Sequence, residues 1–152
     1  MRTEEQRRKF KKHIDALERA VVAIAKDFPA RAETHHTFID GIYMREFRAA
    51  AGSIITGVTH KTRHPFILSA GIVDVCDEYG DVVRYFAPFT GITEAGTRRV
   101  LFVHQDMVWT TFHRTDLTDP DDWWRENTEV ENKSLPDKFK PFGLVNRQEA
   151  LT

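Results

Sequence analysis

Apolar residues return at steps of four and three near the start of the chain, at Phe10, Ile14, Leu17, Val21 and Ile24. That period predicts one amphipathic helix over 4–27, with its apolar positions on a single stripe. Thr3 and Gln6 stand at capping-box spacing ahead of it, and Pro29 stops it. The stripe has to bury against something, either the chain's own body or the same helix of a second copy. No second heptad segment supports a long coiled coil. From about residue 38 the period shortens. "GIYMREFRAA", "SIITGVT", "FILSAGIVDV", "DVVRYFAP", "RRVLFVH" and "MVWTTFHRT" are short runs rich in β-branched and aromatic residues. Turn signals at Ala51-Gly52, Glu78 to Asp81, Thr90-Gly91, Ala95-Gly96 and Gln105-Asp106 separate them. "VDVCDEYGDVVRY" is the clearest hairpin.

About six or more strands at even spacing, with no helical pattern between them, predict an antiparallel sandwich or barrel. "ETHHTFIDG" reads as a loop leading into the first strand, and its adjacent His35 and His36 would diverge. Beyond His113 the regular spacing ends. Three prolines and many charges mark an irregular tail, in which Asp121-Asp122 would cap a short helix through Trp123 and Trp124. The two tryptophans would cover a barrel edge or a neighbouring subunit. The expected organisation is a helix over 1–30, a β-barrel over 38–115 and a C-terminal extension over 116–152 that packs on the barrel or on a partner subunit.

The segment "GVTHKTRHPFILSAG" carries the chemistry. Gly52, Val58, His60, His64 and Gly71 follow the spacing of the first cupin motif, G-x5-H-x-H-x3,4-E-x6-G, with Val58 at the first histidine position and His64 at the glutamate. The second motif, G-x5-P-x-G-x2-H-x3-N, survives only in part. Pro88 stands at its first glycine and Glu94 at its proline, Gly96 is kept, and Arg99 and Val103 take the histidine and asparagine positions. Over about residues 41–113 the chain resembles the cupin superfamily, and it also resembles small bacteriophage-encoded cupin-like proteins. The resemblance implies a single antiparallel cupin-like β-barrel, or jelly roll, that is often dimeric, with the N-terminal helix or Trp123-Trp124 as the contact. It also implies a divalent transition metal (Zn, Fe, Ni or Mn) held by His60 and His64, imidazole being a competent ligand for such metals.

Two ligands are too few for tight binding, and Arg99 stays protonated and repels a cation. His113 is the candidate third. Its direction depends on how "VWTTFHRT" pairs with "TRRVLFVH". A three-residue loop from Gln105 would place His113 on the face of Arg99, and a two-residue loop would turn it away. His104 would sit at the turn, exposed. If no metal is bound, Arg99, His60 and His64 would favour a carboxylate or phosphate. Tyr43, Arg45 and Phe47 share a strand face that would line a pocket, or else form a wet outer face or a subunit contact. Tyr85 is a further candidate wall, and Trp109, which shares a face with Thr111 and His113, would offer a stacking surface.

Composition narrows the class without choosing within it. The 152 residues suit one domain with a real core. A net charge of -1 gives no field that argues for nucleic acid. The basic cluster of Arg2, Arg7, Arg8, Lys9, Lys11 and Lys12 reads as a solvated helix face. The single cysteine, Cys76, forms no intrachain disulfide, fits a reducing compartment and reads as a small buried hydrophobe. No run approaches membrane length, and the charged start is unlike a signal peptide, so the expectation is a cytoplasmic protein, in host cytoplasm if phage-encoded. The expected function is binding of a small polar or anionic molecule. A metal-dependent enzyme of the dioxygenase or isomerase class and a structural or interaction protein stand as alternatives.

Overall fold

A computed structural model describes residues 3–24, 32–77 and 79–129. Helix α1 (Glu4–Ile24) begins with the expected reciprocal cap: Thr3 N donates to Gln6 Oε1 at 2.9 Å, and Gln6 N donates to Thr3 Oγ1 at 3.2 Å. Ile14 is buried, while Phe10 and Leu17 are half-buried. This part of the stripe therefore packs on the chain's own body. Phe10 lies against the turn at Gly80, and Arg7 Nη2 donates to Gly96 O at 2.7 Å. The side chains of Val21 and Ile24, the stop at Pro29 and the tail from 130 lie outside the described residues.

The first two strands, β1 (Ala32–Ile39) and β2 (Ile42–Ala49), form an antiparallel hairpin. "ETHHTFIDG" is thus a strand, correcting its reading as a loop. Its turn is Asp40-Gly41, at φ 45° and 79°. A two-residue turn with both positions left-handed matches the twist of the flanking strands, which is why Asp-Gly is favoured there. The strands that follow are β3 (Ile54–Thr56), β4 (Thr59–His60), β5 (His64–Cys76), β6 (Val82–Phe86), β7 (Phe89–Thr93) and β8 (Val100–Arg114). The described chain ends in helix α2 (Pro120–Asn127) and the short strand β9 (Thr128–Glu129).

The main sheet runs β1-β2-β8-β5-β6, with β3 paired to β8 and β7 paired to β5, all antiparallel. Strands β4 and β9 form a separate pair. The mainly β, antiparallel class is as expected, but the sheet is an open path and does not close into a barrel. Two long strands organise it. β8 pairs with β3 through Val100–Phe102 and with β2 through Met107–Arg114. β5 pairs with β7 at its start and with β6 at its end. Their mutual register slips between Leu68 and Val73, where the pair bends.

That bend overturns the expected turn at Gln105-Asp106, because the two runs either side of it are one continuous strand. Gly71, at φ 100°, lets the backbone of 105–107 pass close by, so the chain bends without reversing. Thr90-Gly91 is likewise strand, not turn. Gly91 lies under the Phe66 ring, and a Cβ there would sit 2.6 Å from Phe66 Cζ. The main core gathers Phe47, Ile55, Phe66, Leu68, Val73, Val75, Leu101, Val103, Met107 and Trp109.

A second cluster lies under α2, where Trp123 and Trp124 pack with Tyr43 and Val58. Asp119, not Asp121-Asp122, caps α2: its side chain accepts from the amides of Asp121 and Asp122 at 2.9 and 3.0 Å. Both indoles are spent inside the chain. Cys76 is half-buried at the end of β5, and burial raises its thiol pKa. No described helix is long and apolar enough to cross a membrane.

Candidate functional site

The cavity lies between the two ends of the bent sheet and α2. Its wall takes Arg45 and Phe47 from β2, His60 from β4, His64 from β5, Arg99 just before β8, Trp109 and Thr111 from β8, and Trp124 from α2. Alternation explains the set. On β2, residues 43, 45 and 47 are buried while Ile42 and Arg48 face out, so one strand sends a tyrosine, an arginine and a phenylalanine inward together. The cavity volume is ≈ 80 Å³. A water needs about 10–15 Å³ of such space, so this suits a few waters or a molecule of few heavy atoms.

Motif spacing brings the two histidines together. The rings of His60 and His64 are 4.7 Å apart, edge to face. His64 Nδ1–H donates to Thr62 O at 3.1 Å, which leaves Nε2 with its lone pair in the neutral ring. His60 Nδ1 is buried without a hydrogen-bond partner. Val58, at the motif's first histidine position, is a buried wall of the same cavity.

His113 is settled by a partner the sequence reading did not consider. It stands opposite Tyr43 of β2, not opposite Arg98 or Arg99. Its ring is 4.4 Å from His64 and 4.2 Å from Trp123. It stands behind the two cavity histidines rather than in the cavity wall. Its Nε2 is hydrogen-bonded to Thr111 Oγ1 at 2.8 Å, while Nδ1 is buried without a partner.

The arginines are held on aromatic faces. The Arg45 guanidinium lies 5.4 Å over Phe47 and 5.2 Å over Trp124. Arg99 lies 5.3 Å over Phe66, and its Nη1 donates to Thr93 Oγ1 at 3.0 Å. Its neighbour Arg98 points the other way and is 2% exposed. Arg98 Nη1 donates to Asp15 at 3.0 Å, Nη2 donates to Glu18, and Nε donates to Gly57 O at 3.0 Å. The residue pair thus splits its work: Arg98 joins α1 to the sheet and Arg99 faces the cavity.

Tyr43 and Tyr85 do not line the cavity. Tyr43 is fully buried, stacks on Phe38 and has its hydroxyl 2.6 Å from His36 Nδ1. Tyr85 packs on Phe66 and Phe89 in the main core. His104 lies in mid-strand, correcting its placement at a turn. Its Nε2 is 2.7 Å from Asp74 Oδ2, and Arg84 also holds Asp74, at 2.7 and 3.0 Å. Those hydrogen bonds, that from Arg84 first, hold the Asp74 carboxyl below its usual range. Thr93 and Thr97 also line the wall, and their side chains carried no sequence signal that marked them as walls.

Burial first, then the neighbouring positive groups, keeps these imidazoles neutral. His60 is pushed well below its ordinary value by burial, then by His64, Arg45 and Arg99. Burial also lowers His64, against a raising hydrogen bond to Thr62. His113 is brought down to about 2 by burial, then by His64, His60 and Arg45. The unfolded chain binds a proton at each below about pH 6.5, and the folded chain refuses it, so stability falls as pH drops below that value. Each group contributes a slope of up to about 1.4 kcal/mol per pH unit. Urea midpoints should hold level from about pH 8 to 7 and decline below about 6.5, and His113→Gln should make the decline shallower. A midpoint unchanged down to about pH 5 would show that the histidines are not buried as neutral rings.

A resident divalent metal is what the cupin likeness suggests, and the partnerless Nδ1 atoms of His60 and His113 are in its favour. The donor set is against it. His113 stands outside the cavity wall, and among the described residues that wall includes no Asp or Glu but two guanidinium groups. Among the described residues, no three His, Cys, Asp or Glu side chains are grouped so as to hold a metal ion. As arranged, these residues do not fit one.

No family model matches the sequence, and the comparison with curated proteins finds no match. Solved structures do resemble it. The ectoine synthase of P. lautus aligns with a TM-score of 0.52 at 13% identity, over 70% of this chain and 80% of that one. A cupin superfamily protein of Desulfitobacterium hafniense DCB-2 aligns with a TM-score of 0.50 at 8% identity, over 57% and 79%. At such identities the likeness speaks for architecture alone. Together with the two glycines and paired histidines of the first motif, set on bent antiparallel strands, it identifies the fold of this chain as cupin-like.

Proposed function

We propose that this chain is a small-molecule-binding protein whose cavity takes a small anion of the carboxylate or phosphate class. The observation that carries this reading is the wall itself: Arg45 and Arg99 both line it, and among the described residues no Asp or Glu does. Guanidinium groups suit planar or tetrahedral oxyanions, and an aromatic platform beneath each fixes its plane. His60 and His64, kept neutral by burial, add hydrogen-bonding nitrogens without adding charge. Trp109 and Phe47 supply the apolar part of the wall, which favours a ligand with a short carbon body.

Thermal shift and calorimetric titration with inorganic phosphate, acetate and butyrate test the reading. At least one should bind the unmodified protein, and Arg99→Ala should weaken it tenfold or more, about 1.4 kcal/mol. No binding by any of the three, or binding indifferent to Arg99→Ala, would refute it. Metal analysis of protein purified without added metal supplies the other arm. Near-stoichiometric metal that disappears in His60→Ala/His64→Ala would replace the anion with a metal centre.

A further inference from the structure

A second depression shares a wall with the cavity. It is a groove of ≈ 470 Å³, open to solvent, lined by Arg7, Lys11, Thr59, His60, Lys61, Gly96 and Glu129. His60 lines both this groove and the inner cavity. One histidine therefore divides a small inner space flanked by two arginines from a larger outer one flanked by an arginine and two lysines. Among the described residues, Glu129 is the one carboxylate that lines the groove, and Glu4 pairs with Arg7 at 3.7 Å beside it.

The groove is built, not incidental. Arg7 is fixed by its bond to Gly96 O, and Gly96 N donates to His60 O at 2.7 Å, so helix, loop and β4 are tied together at this point. His60 N donates to Thr97 O, and Lys61 N donates to Asn127 O at 2.9 Å. A Cβ at residue 96 would lie 3.3 Å from Arg7 Nη2, and φ is 81°, so glycine lets the guanidinium close on the loop. Arg7 Nε is buried without a hydrogen-bond partner, a donor this junction leaves unsatisfied.

From this shared wall we infer that the ligand is an elongated molecule with two anionic groups. One group sits inside with Arg45 and Arg99, and the second lies in the outer groove with Arg7, Lys11 and Lys61. The inner cavity is too small for the whole of such a molecule, and the body connecting the two groups passes along His60. This rests on the anion reading of the inner cavity and extends it to a substrate class. Linking two binding groups makes the second contact intramolecular, so a doubly charged ligand gains far more than its second group would contribute alone.

A series of straight-chain carboxylates decides the matter. Butyrate is compared with succinate, glutarate and adipate in calorimetric titrations at low salt, on the unmodified protein and on Lys11→Ala/Lys61→Ala. At least one dicarboxylate should bind tenfold or more tighter than butyrate. The double variant should erase that ratio, and Glu129→Gln, which removes the groove's own negative charge, should widen it. If butyrate binds in an Arg99-dependent way but no dicarboxylate is preferred, the inference is overturned and the anion reading stands. A dicarboxylate preference that survives the double variant also overturns it, because the second group then lies elsewhere. If none of the four binds, this inference is overturned, and the anion reading is then decided by the phosphate and acetate titrations alone.

Discussion

Gly71→Ala should yield little folded protein. At φ 100° the residue is in the region that L side chains rarely adopt, and a Cβ there would lie 2.6 Å from Asp106 O, 2.7 Å from Gln105 O and 2.9 Å from Met107 Cα. All three obstacles are backbone, so no side chain can swing aside. The crowding falls where β5 and β8 bend across one another, and relieving it means parting the central pair of the sheet. A loss on the order of 4 kcal/mol or more is expected, a large share of a typical domain's stability. Gly52→Ala is the control: φ is 88°, but nothing lies within 4 Å, so only the backbone penalty of about 1–2 kcal/mol applies. Soluble yield and urea midpoints compare the two. Equal midpoints would mean that the strands do not approach at 71 as described.

Arg98→Met should be nearly as damaging, for an electrostatic reason. Glu18 is 2% exposed and would be stripped of its guanidinium, while Gly57 O would lose the Nε–H that serves it. Breaking one side of a buried ion pair costs about 3–5 kcal/mol, because the remaining charge stays desolvated. In melting temperature that is a drop on the order of 10 °C for a chain of this size. Adding Glu18→Leu removes the buried carboxylate and should recover much of the loss, since apolar replacement of a buried pair is often neutral. Thermal melts of the unmodified protein, the single variant and the double variant separate the outcomes. A single variant within about 1 kcal/mol of the unmodified protein would mean that α1 is not anchored through this residue.

The sequence shows what its local periods can show. The α1 stripe and its cap, the 77–81 hairpin and the positions of most strands follow from the spacing of apolar residues and from turn chemistry. The spacing from Gly52 to Gly71 indicates a cupin-like arrangement, and the structure gives both outer glycines positive φ. The errors share one cause. Gln105-Asp106 and Thr90-Gly91 carry turn chemistry, but packing between distant strands straightens the first across Gly71 and fits the second under Phe66. The Asp40-Gly41 hairpin signal was on the chain, yet the polar residues of "ETHHT" hid an edge strand whose outward face is wet. His113 could not be aimed from sequence because its strand partner is β2, some seventy residues back, not its chain neighbour. The inner wall was only half legible: Arg45, Arg99, His60, His64 and Trp109 reach it, while Tyr43 and Tyr85 face core from neighbouring positions.

The roof of the cavity comes from a stretch remote from its walls. Trp124 of α2 lies over Arg45, and β9 pairs with β4 across only Thr59 with Glu129 and His60 with Thr128. Shape and selectivity are thereby assigned to separate parts of the gene. The bent sheet fixes where the arginines and histidines stand, and substitutions there disturb the whole fold. Residues 117–129 decide what headroom lies above them, and their exposed positions can vary with little effect on the strands below. A library aimed at altering ligand preference belongs at the exposed positions of that stretch, since a fragment ending at Arg114 would lose both the Trp124 cover and the β9 partner of the strand that carries His60.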